Sequence, residues 1–335
     1  MEKIRFGILG CGTIGDVHAK SIMALEDAEL IAICDVNAER AAEYAKRYGV
    51  KAYSDYGEML ADPDIDAVTI CTPSGMHVEH SIQALKAEKH VLLEKPMALN
   101  SEDAKKICEE AEKSNKLLSV VFQMRFTKDI QYLKKIIKEG KLGRLVFCDL
   151  YMKYWRDKAY FDASPWRGTY AMDGGGALMN QGIHGIDIMH YLFGAPKIIG
   201  CKVKTLVHDI ETEDTAVVAV EYPSGALGVM QASTSSNPGF DRRLEINGSR
   251  GYAVIMDAHI EKLFIDGELL IDRKIDIGTG TASDPTKMKY EKHILQFGNF
   301  VRAIRGEEEL ISTANDGYVA VNFIEQIYKN SKECK

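Results

Sequence analysis

The sequence predicts an α/β protein in two domains. The first is a Rossmann domain, a doubly wound parallel sheet. The second is an α+β domain with a large, mostly antiparallel sheet. Three observations lead there. In the first third, apolar runs of strand length alternate with helix-length segments. Those runs are nearly continuous, as in strands covered on both faces by helices. Beyond Arg125, strand-like runs follow one another across turn signals such as "PSG", "NGSRG" and "DG", which suits an antiparallel sheet.

The elements justify themselves in order. An apolar run at 4–10 predicts a strand, and 14–25 a helix. Strands follow at 29–35, 67–72, 90–95 and 117–123, with helices at 38–48, 77–87 and 101–114 between them. The domain boundary falls after Gln123, giving 1–123 and 124–335. Residues 127–138 form an amphipathic helix with Ile130, Leu133, Ile136 and Ile137 on one face, and 143–155 a strand. A helix at 177–193 precedes strands at 198–207, 216–222, 226–232, 243–246, 253–256, 263–265 and 269–271. Residues 276–286 read as a loop, and helices at 287–305 and 313–329 close the chain.

Composition narrows the function classes. The 335 residues are 46% apolar and 27% charged, with a net charge of −7 and both signs dispersed. No basic stripe points to nucleic acid and no polybasic amphipathic segment to a membrane surface. No apolar run is long enough to span a bilayer. Seven cysteines, at 11, 34, 71, 108, 148, 201 and 334, are scattered and never in C-x-x-C spacing. Reduced thiols are expected, and no metal. The N-terminal run lacks a signal-peptide core and cleavage site, so a cytoplasmic protein is expected.

The first turn reads Gly10-Cys11-Gly12-Thr13-Ile14-Gly15, a G-x-G-x-x-G between strand and helix. Asp35 ends the second strand, 20 positions beyond Gly15. This is the dinucleotide-binding arrangement, with phosphates at the helix N-terminus. Asp35 accepts from ribose hydroxyls and repels a 2′-phosphate, so NAD is expected over NADP; Arg40 nearby partly offsets that repulsion. An alternative role for Asp35, capping the next helix, is one that Asn37 supplies equally well. Ligands of such sheets bind beyond the strand C-termini. Thr72, Pro73 and His77 of "CTPSGMH" and Glu94 and Lys95 of "EKPMA" lie there, which puts Lys95 near a nicotinamide ring. A cis Lys95–Pro96 bond is expected.

"GILGCGTIG", "AICDVN", "CTPSGMHVEHSIQAL", "HVLLEKPMA" and "DGGGALMNQGIHGID" together resemble the Gfo/Idh/MocA oxidoreductases over nearly the whole chain. The resemblance implies hydride transfer between nicotinamide and a sugar or cyclitol hydroxyl. It implies catalytic roles for Lys95 and for His184 of the later helix. Many members carry Asp four residues before that His; here the residue is Asn180, which positions a hydroxyl but takes no proton. The layout "YFDASPWRGTYAMDGGGALMNQGIHGID" is similar to the branch that oxidises UDP-N-acetylglucosaminuronic acid at its 3-hydroxyl. Members also form oligomers through the broad sheet, so a homo-oligomer, dimer or tetramer, is expected.

The substrate side follows from residue chemistry. The segment "YMKYWRDKAYFDASPWRG" supplies aromatic faces for sugar C–H surfaces and guanidinium forks for carboxylate or phosphate. Trp166 and Arg167 are the leading substrate contacts, then Arg125 and Lys153. At helical spacing, Asn180, His184, Asp187 and Tyr191 share one stripe, and Met179, Ile183, Ile186 and Phe193 another. His184 is expected to take the hydroxyl proton while Lys95 stabilises the oxygen, although the two roles are interchangeable on the sequence. Asp187 is expected to orient His184, Asn180 to hold the substrate hydroxyl, and His190 to be structural. The competing readings are an inositol or simple-sugar dehydrogenase and a non-catalytic nucleotide-sensing protein.

Overall fold

The computed structural model describes residues 2–274 and 290–333. The loop expected at 276–286, the start of the helix expected at 287 and Cys334 lie outside the described residues. The chain divides into two compact units. One holds residues 2–123 and 290–318; the other holds 124–274 and 319–333. The sequence reading put everything after 123 in the second domain. The returning helix, Glu291–Ile304, belongs instead with the first. Its apolar face says that it is buried but not in which core, and the structure packs Phe297 and Phe300 at 5.8 and 6.3 Å from the Phe6 ring.

The first unit is built on six parallel strands: β1 (Ile4–Leu9), β2 (Ala28–Cys34), β3 (Lys51–Tyr53), β4 (Ala67–Ile70), β5 (His90–Leu93) and β6 (Leu118–Val120). Their order is β3-β2-β1-β4-β5-β6. The sequence reading had five. It missed β3 and the helix Tyr56–Ala61 because three residues, two of them exposed, leave no periodicity to detect. The strands are buried on both faces: Ala67, Val68, Thr69 and Ile70 are all inaccessible. The winding reverses between β1 and β4, so the turns after these two neighbours open side by side.

Among its described residues the second unit carries eight strands: β7 (Leu145–Lys153), β8 (Lys197–Lys204), β9 (Thr215–Glu221), β10 (Leu227–Ser233), β11 (Arg243–Gly248), β12 (Gly251–Met256), β13 (His259–Ile265) and β14 (Glu268–Asp272). The order is β14-β13-β12-β11-β7-β10-β9-β8, and among the described residues only β7 and β10 of this sheet pair in parallel. One face is the core, with Cys148, Leu150, Met152, Val218, Val220 and Met230 buried. The helix Ile183–Phe193 packs there, and Gly185 permits it: a Cβ would stand 2.5 Å from Met152 Sδ.

Candidate active site

The residues expected at the cofactor are assembled from three strand ends of the first unit. Gly10 turns with φ +102°, and a Cβ on it would lie 2.8 Å from the Cys71 oxygen. A Cβ on Gly15 would lie 2.2 Å from the Gly10 oxygen, so the helix Thr13–Met23 can start only with glycine here. Gly12, its N-cap, has open space where a side chain would be. A turn that is tight at both ends and open in the middle, at a helix N-terminus, fits a pyrophosphate. Asp35 accepts the Cys11 N–H (2.9 Å) and the Asn37 N–H (2.9 Å), with Arg40 at 3.7 Å. Asn37, not Asp35, caps the helix Ala38–Tyr48 by accepting the Arg40 N–H.

The loops after β4 and β5 are tied together by buried histidines. His77 spans the carbonyl oxygens of Thr72 (2.9 Å) and Pro96 (2.7 Å). Thr72 Oγ1 meets His80 Nδ1 at 3.1 Å, and Pro73 leads into the 3-10 turn Ser74–Met76. The Lys95–Pro96 bond is cis. His18, one turn into its helix and inaccessible, reaches Thr69 Oγ1 (2.7 Å) and Cys71 Sγ (3.2 Å) through Nδ1. Its Nε2 donates to Glu94 Oε1 (3.0 Å), and Glu94 Oε2 accepts the Lys95 N–H (3.2 Å). Burial alone would pull the His18 imidazole down, but Cys71 and Glu94 outweigh it and raise it to about 10. Burial alone would push the Glu94 carboxyl up; His18 outweighs it and holds Glu94 below its ordinary range. His77 and Glu94, expected at the cofactor, thus spend polar atoms inside the chain. His18, Glu94 and His293 offer ligand atoms within 4.8 Å of one another, a spacing open to a metal ion.

The residues expected on the substrate side lie on the second unit. The helix expected at 177–193 is two elements: a π-helical turn, Ala177–Gly182, then the α-helix from Ile183. Such turns recur at functional sites. This one divides the expected stripe. Asn180 donates to Asp173 Oδ1 (2.8 Å), and His184 is half-buried. Asp187 is buried against Arg125, which reaches it with Nε and Nη2. Arg125, expected to hold substrate, is 2% exposed and held by an internal carboxylate. Tyr191 lies under the same guanidinium at 4.8 Å.

The glycine run has its own anchor, which sequence reasoning missed. The Glu213 carboxylate accepts N–H groups of Gly176 (2.9 Å) and Leu178 (2.8 Å) and the Tyr328 hydroxyl (2.9 Å). Burial pushes its pKa up, against those donors. A Cβ on Gly176 would stand 1.8 Å from the Glu213 oxygen, and one on Gly175 2.2 Å from Tyr328 Oη. Beside this turn, Arg167 lies 4.3 Å over the Tyr160 ring and 5.7 Å from Trp166. Arg156, also missed, lies 5.3 Å from Tyr160, and Gln181 donates to the Tyr160 hydroxyl (3.0 Å). Lys153 instead covers Tyr151 on β7. His190 is buried with its ring edge-on to Phe323 at 4.9 Å, a packing role as expected.

This arrangement matches known proteins along its whole length. The family model described as "Oxidoreductase family, NAD-binding Rossmann fold" matches residues 4–122, and the GFO/IDH/MocA C-terminal domain matches 130–254. Myo-inositol 2-dehydrogenase of Thermotoga maritima is 30% identical over 95% of this chain and 93% of its own. The chain belongs to the Gfo/Idh/MocA oxidoreductase family. D-glucoside 3-dehydrogenase of Escherichia coli is a further relative of this Gfo/Idh/MocA chain, 27% identical over 98% of this chain and 95% of its own. Among solved structures, the WlbA dehydrogenase of Bordetella pertussis, in complex with NADH and UDP-GlcNAcA, superposes with a TM-score of 0.87. It is 30% identical, covering 99% of this chain and 97% of its own. The expectations of fold, family and an NAD cofactor are met. No described helix is long and apolar enough to cross a membrane.

Proposed function

We propose that this Gfo/Idh/MocA protein is an NAD-dependent dehydrogenase acting on a ring hydroxyl of a negatively charged sugar derivative. The observation that carries the charge is a pair of guanidiniums, Arg156 and Arg167, 5.3 and 4.3 Å from the Tyr160 ring, whose hydroxyl accepts from Gln181 of the turn bearing Asn180. Arginine forks suit carboxylate or phosphate, and Trp166 offers a face for sugar C–H groups. The similarity to a dehydrogenase solved with UDP-GlcNAcA supports the same reading. The similarity to myo-inositol 2-dehydrogenase favours a second one, a neutral cyclitol. Asn180 counts against it, because an amide cannot carry the charge or take the proton that Asp does in many inositol-type members.

His184 takes the proton of the reacting hydroxyl, since an imidazole titrates near neutrality. Lys95 hydrogen-bonds the same oxygen and stabilises its developing negative charge. Asn180, oriented by Asp173, holds a neighbouring hydroxyl, and Arg125 fixes Asp187, three residues beyond His184 in the same helix. Bound nicotinamide supplies the hydride acceptor. Asp35 favours NAD over NADP, because a 2′-phosphate would face its carboxylate. Six described cysteines carry thiols, which suits a reducing compartment such as the cytoplasm. Half-exposed Phe147, Val217 and Leu227 on the open sheet face suit a homo-oligomer.

The test is NADH formation on a panel of nucleotide-linked uronic acids, neutral sugars and inositols. Turnover is expected with the anionic members. Lys95→Ala and His184→Ala are expected to bind NADH normally and to lose at least about 100-fold in kcat. Near-normal turnover in either variant defeats the assignment.

A further inference from the structure

Three side chains of ligand type meet inside the first unit. His18 comes from the helix that follows the glycine turn, Glu94 from the position after β5, and His293 from the first turn of the helix Glu291–Ile304. All three are buried, and one ligand atom from each lies within 4.8 Å of the other two. None of them acts in the proposed hydride transfer. The sequence reading expects no metal because the cysteines lack ligand spacing. These donors are instead two histidines and a glutamate, and they come from distant segments.

Their geometry suits a metal ion. His18 Nε2 and Glu94 Oε1 are 3.0 Å apart. Two donors bound to one tetrahedral zinc stand about 3.3 Å from each other, so this pair already has nearly the spacing of two ligands. Outer partners hold both donors in place. His18 Nδ1 lies 2.7 Å from Thr69 Oγ1, and Glu94 Oε2 accepts the Lys95 N–H (3.2 Å). A metal-bound imidazole needs such a partner on its other nitrogen, which fixes the ring and its tautomer. The third donor group has a nitrogen to spare. His293 Nδ1 is buried and has no hydrogen-bond partner among the described residues, a costly state for a polar atom. Its ring lies 5.7 Å from that of His18. Closing the set to tetrahedral spacing takes a side-chain shift of at most about 1.5 Å.

We infer that His18, Glu94 and His293 bind one divalent transition-metal ion of the zinc class. Two imidazole nitrogens and one carboxylate oxygen form a donor set that zinc takes. The ion replaces the proton between His18 Nε2 and Glu94 Oε1, which leaves to solvent. The His18 ring then carries its proton on Nδ1 and donates it to Thr69 Oγ1. Cys71 Sγ, 3.2 Å from that same Nδ1, meets the ring nitrogen that faces away from the ion, so the donor set holds no sulfur. The role is structural: the ion fastens the glycine-turn helix, the end of β5 and the returning helix to one another.

The test uses the full chain without a tag, dialysed against EDTA and titrated with zinc by calorimetry. One zinc per chain is expected, with a Kd of about 1 μM or tighter, and excess zinc is expected to raise the thermal unfolding midpoint by about 5 °C or more. His293→Gln is expected to weaken binding by about 100-fold or more, and Thr69→Val, which keeps all three donors, by about 10-fold. Cobalt in place of zinc is expected to give tetrahedral d–d bands with no sulfur charge-transfer band. A chain that takes up no zinc overturns the inference and leaves His18 and Glu94 as a plain ion pair. So does a His293→Gln variant that binds zinc as tightly as wild type, or a sulfur band, which places the ion on cysteines. If His293→Gln does not fold, the wild-type titration and the cobalt spectrum decide. No step uses substrate or Lys95, so a sugar panel without turnover counts against the proposed function alone.

Discussion

Arg125 and Asp187 form a closed ion pair: Nε lies 2.9 Å from Oδ2, Nη2 lies 2.5 Å from Oδ1, and both side chains are almost inaccessible. Gln131 donates to the Arg125 carbonyl (2.6 Å) and to the Tyr191 hydroxyl (3.0 Å), so the pair also joins the helix Lys128–Lys138 to the helix Ile183–Phe193. Two residues with expected roles at the substrate and at His184 are thereby committed to each other.

The first prediction follows from that commitment. Asp187→Ala leaves a buried guanidinium without its carboxylate and should cost about 3–5 kcal/mol. Arg125→Met combined with Asp187→Leu removes both charges and should recover most of the loss. Urea denaturation measures both. A single variant as stable as wild type would contradict the buried pair.

Gly176 offers a second. Its place against the Glu213 backbone leaves no room for a methyl group. Gly176→Ala should destabilise the second unit by about 1–3 kcal/mol and reduce turnover, because the displaced turn carries Asn180 and leads to His184. NADH affinity should not change, since the glycine turn lies in the other unit. Fluorescence titration with NADH and thermal unfolding separate the two effects.

A third concerns acid. His293 is buried, and its folded value near 4 is below the ordinary 6.5 of a free histidine. Between those values the unfolded chain binds a proton that the folded chain refuses. Stability therefore falls as pH drops from about 6.5 to 4, by up to about 1.4 kcal/mol per pH unit from this residue. His293→Leu should flatten that slope. A stability–pH curve unchanged by the substitution would rule it out.

The open sheet face supports a fourth. Phe147 and Leu227 are register partners on β7 and β10, 48% and 46% exposed, and Val217 on β9 is 46% exposed. Glutamate at both Phe147 and Leu227 should convert an oligomer to monomers in light scattering, with NADH binding intact. An unchanged mass would remove this face from the assembly.

Much of the site was legible because local rules govern it. The glycine turn, Asp35 and the "EKP" segment are each explained by the strand they terminate, and strand ends can be read from apolar runs. His184 is a candidate through the chain's resemblance to known oxidoreductases. Asp173, Glu213 and Arg156 were not, because their partners are chosen by long-range packing: Glu213 reaches back 37 residues to Gly176. The π turn was hidden for another reason. Apolar spacing across 177–193 fits a regular helix, and one wider turn shifts the stripe without changing its letters.

By itself, the sequence determined the fold class, the dinucleotide turn and the strand ends that carry Lys95, since periodicity and glycine placement act through neighbouring residues. Tertiary structure alone decided where the polar side chains spend their hydrogen bonds. It gave Asp187 to Arg125, Glu94 to His18 and the glycine run to Glu213, and it returned the helix Glu291–Ile304 to the first core. The physical reason is desolvation: a buried charge or N–H must find a partner, and which partner is within reach depends on how distant segments pack.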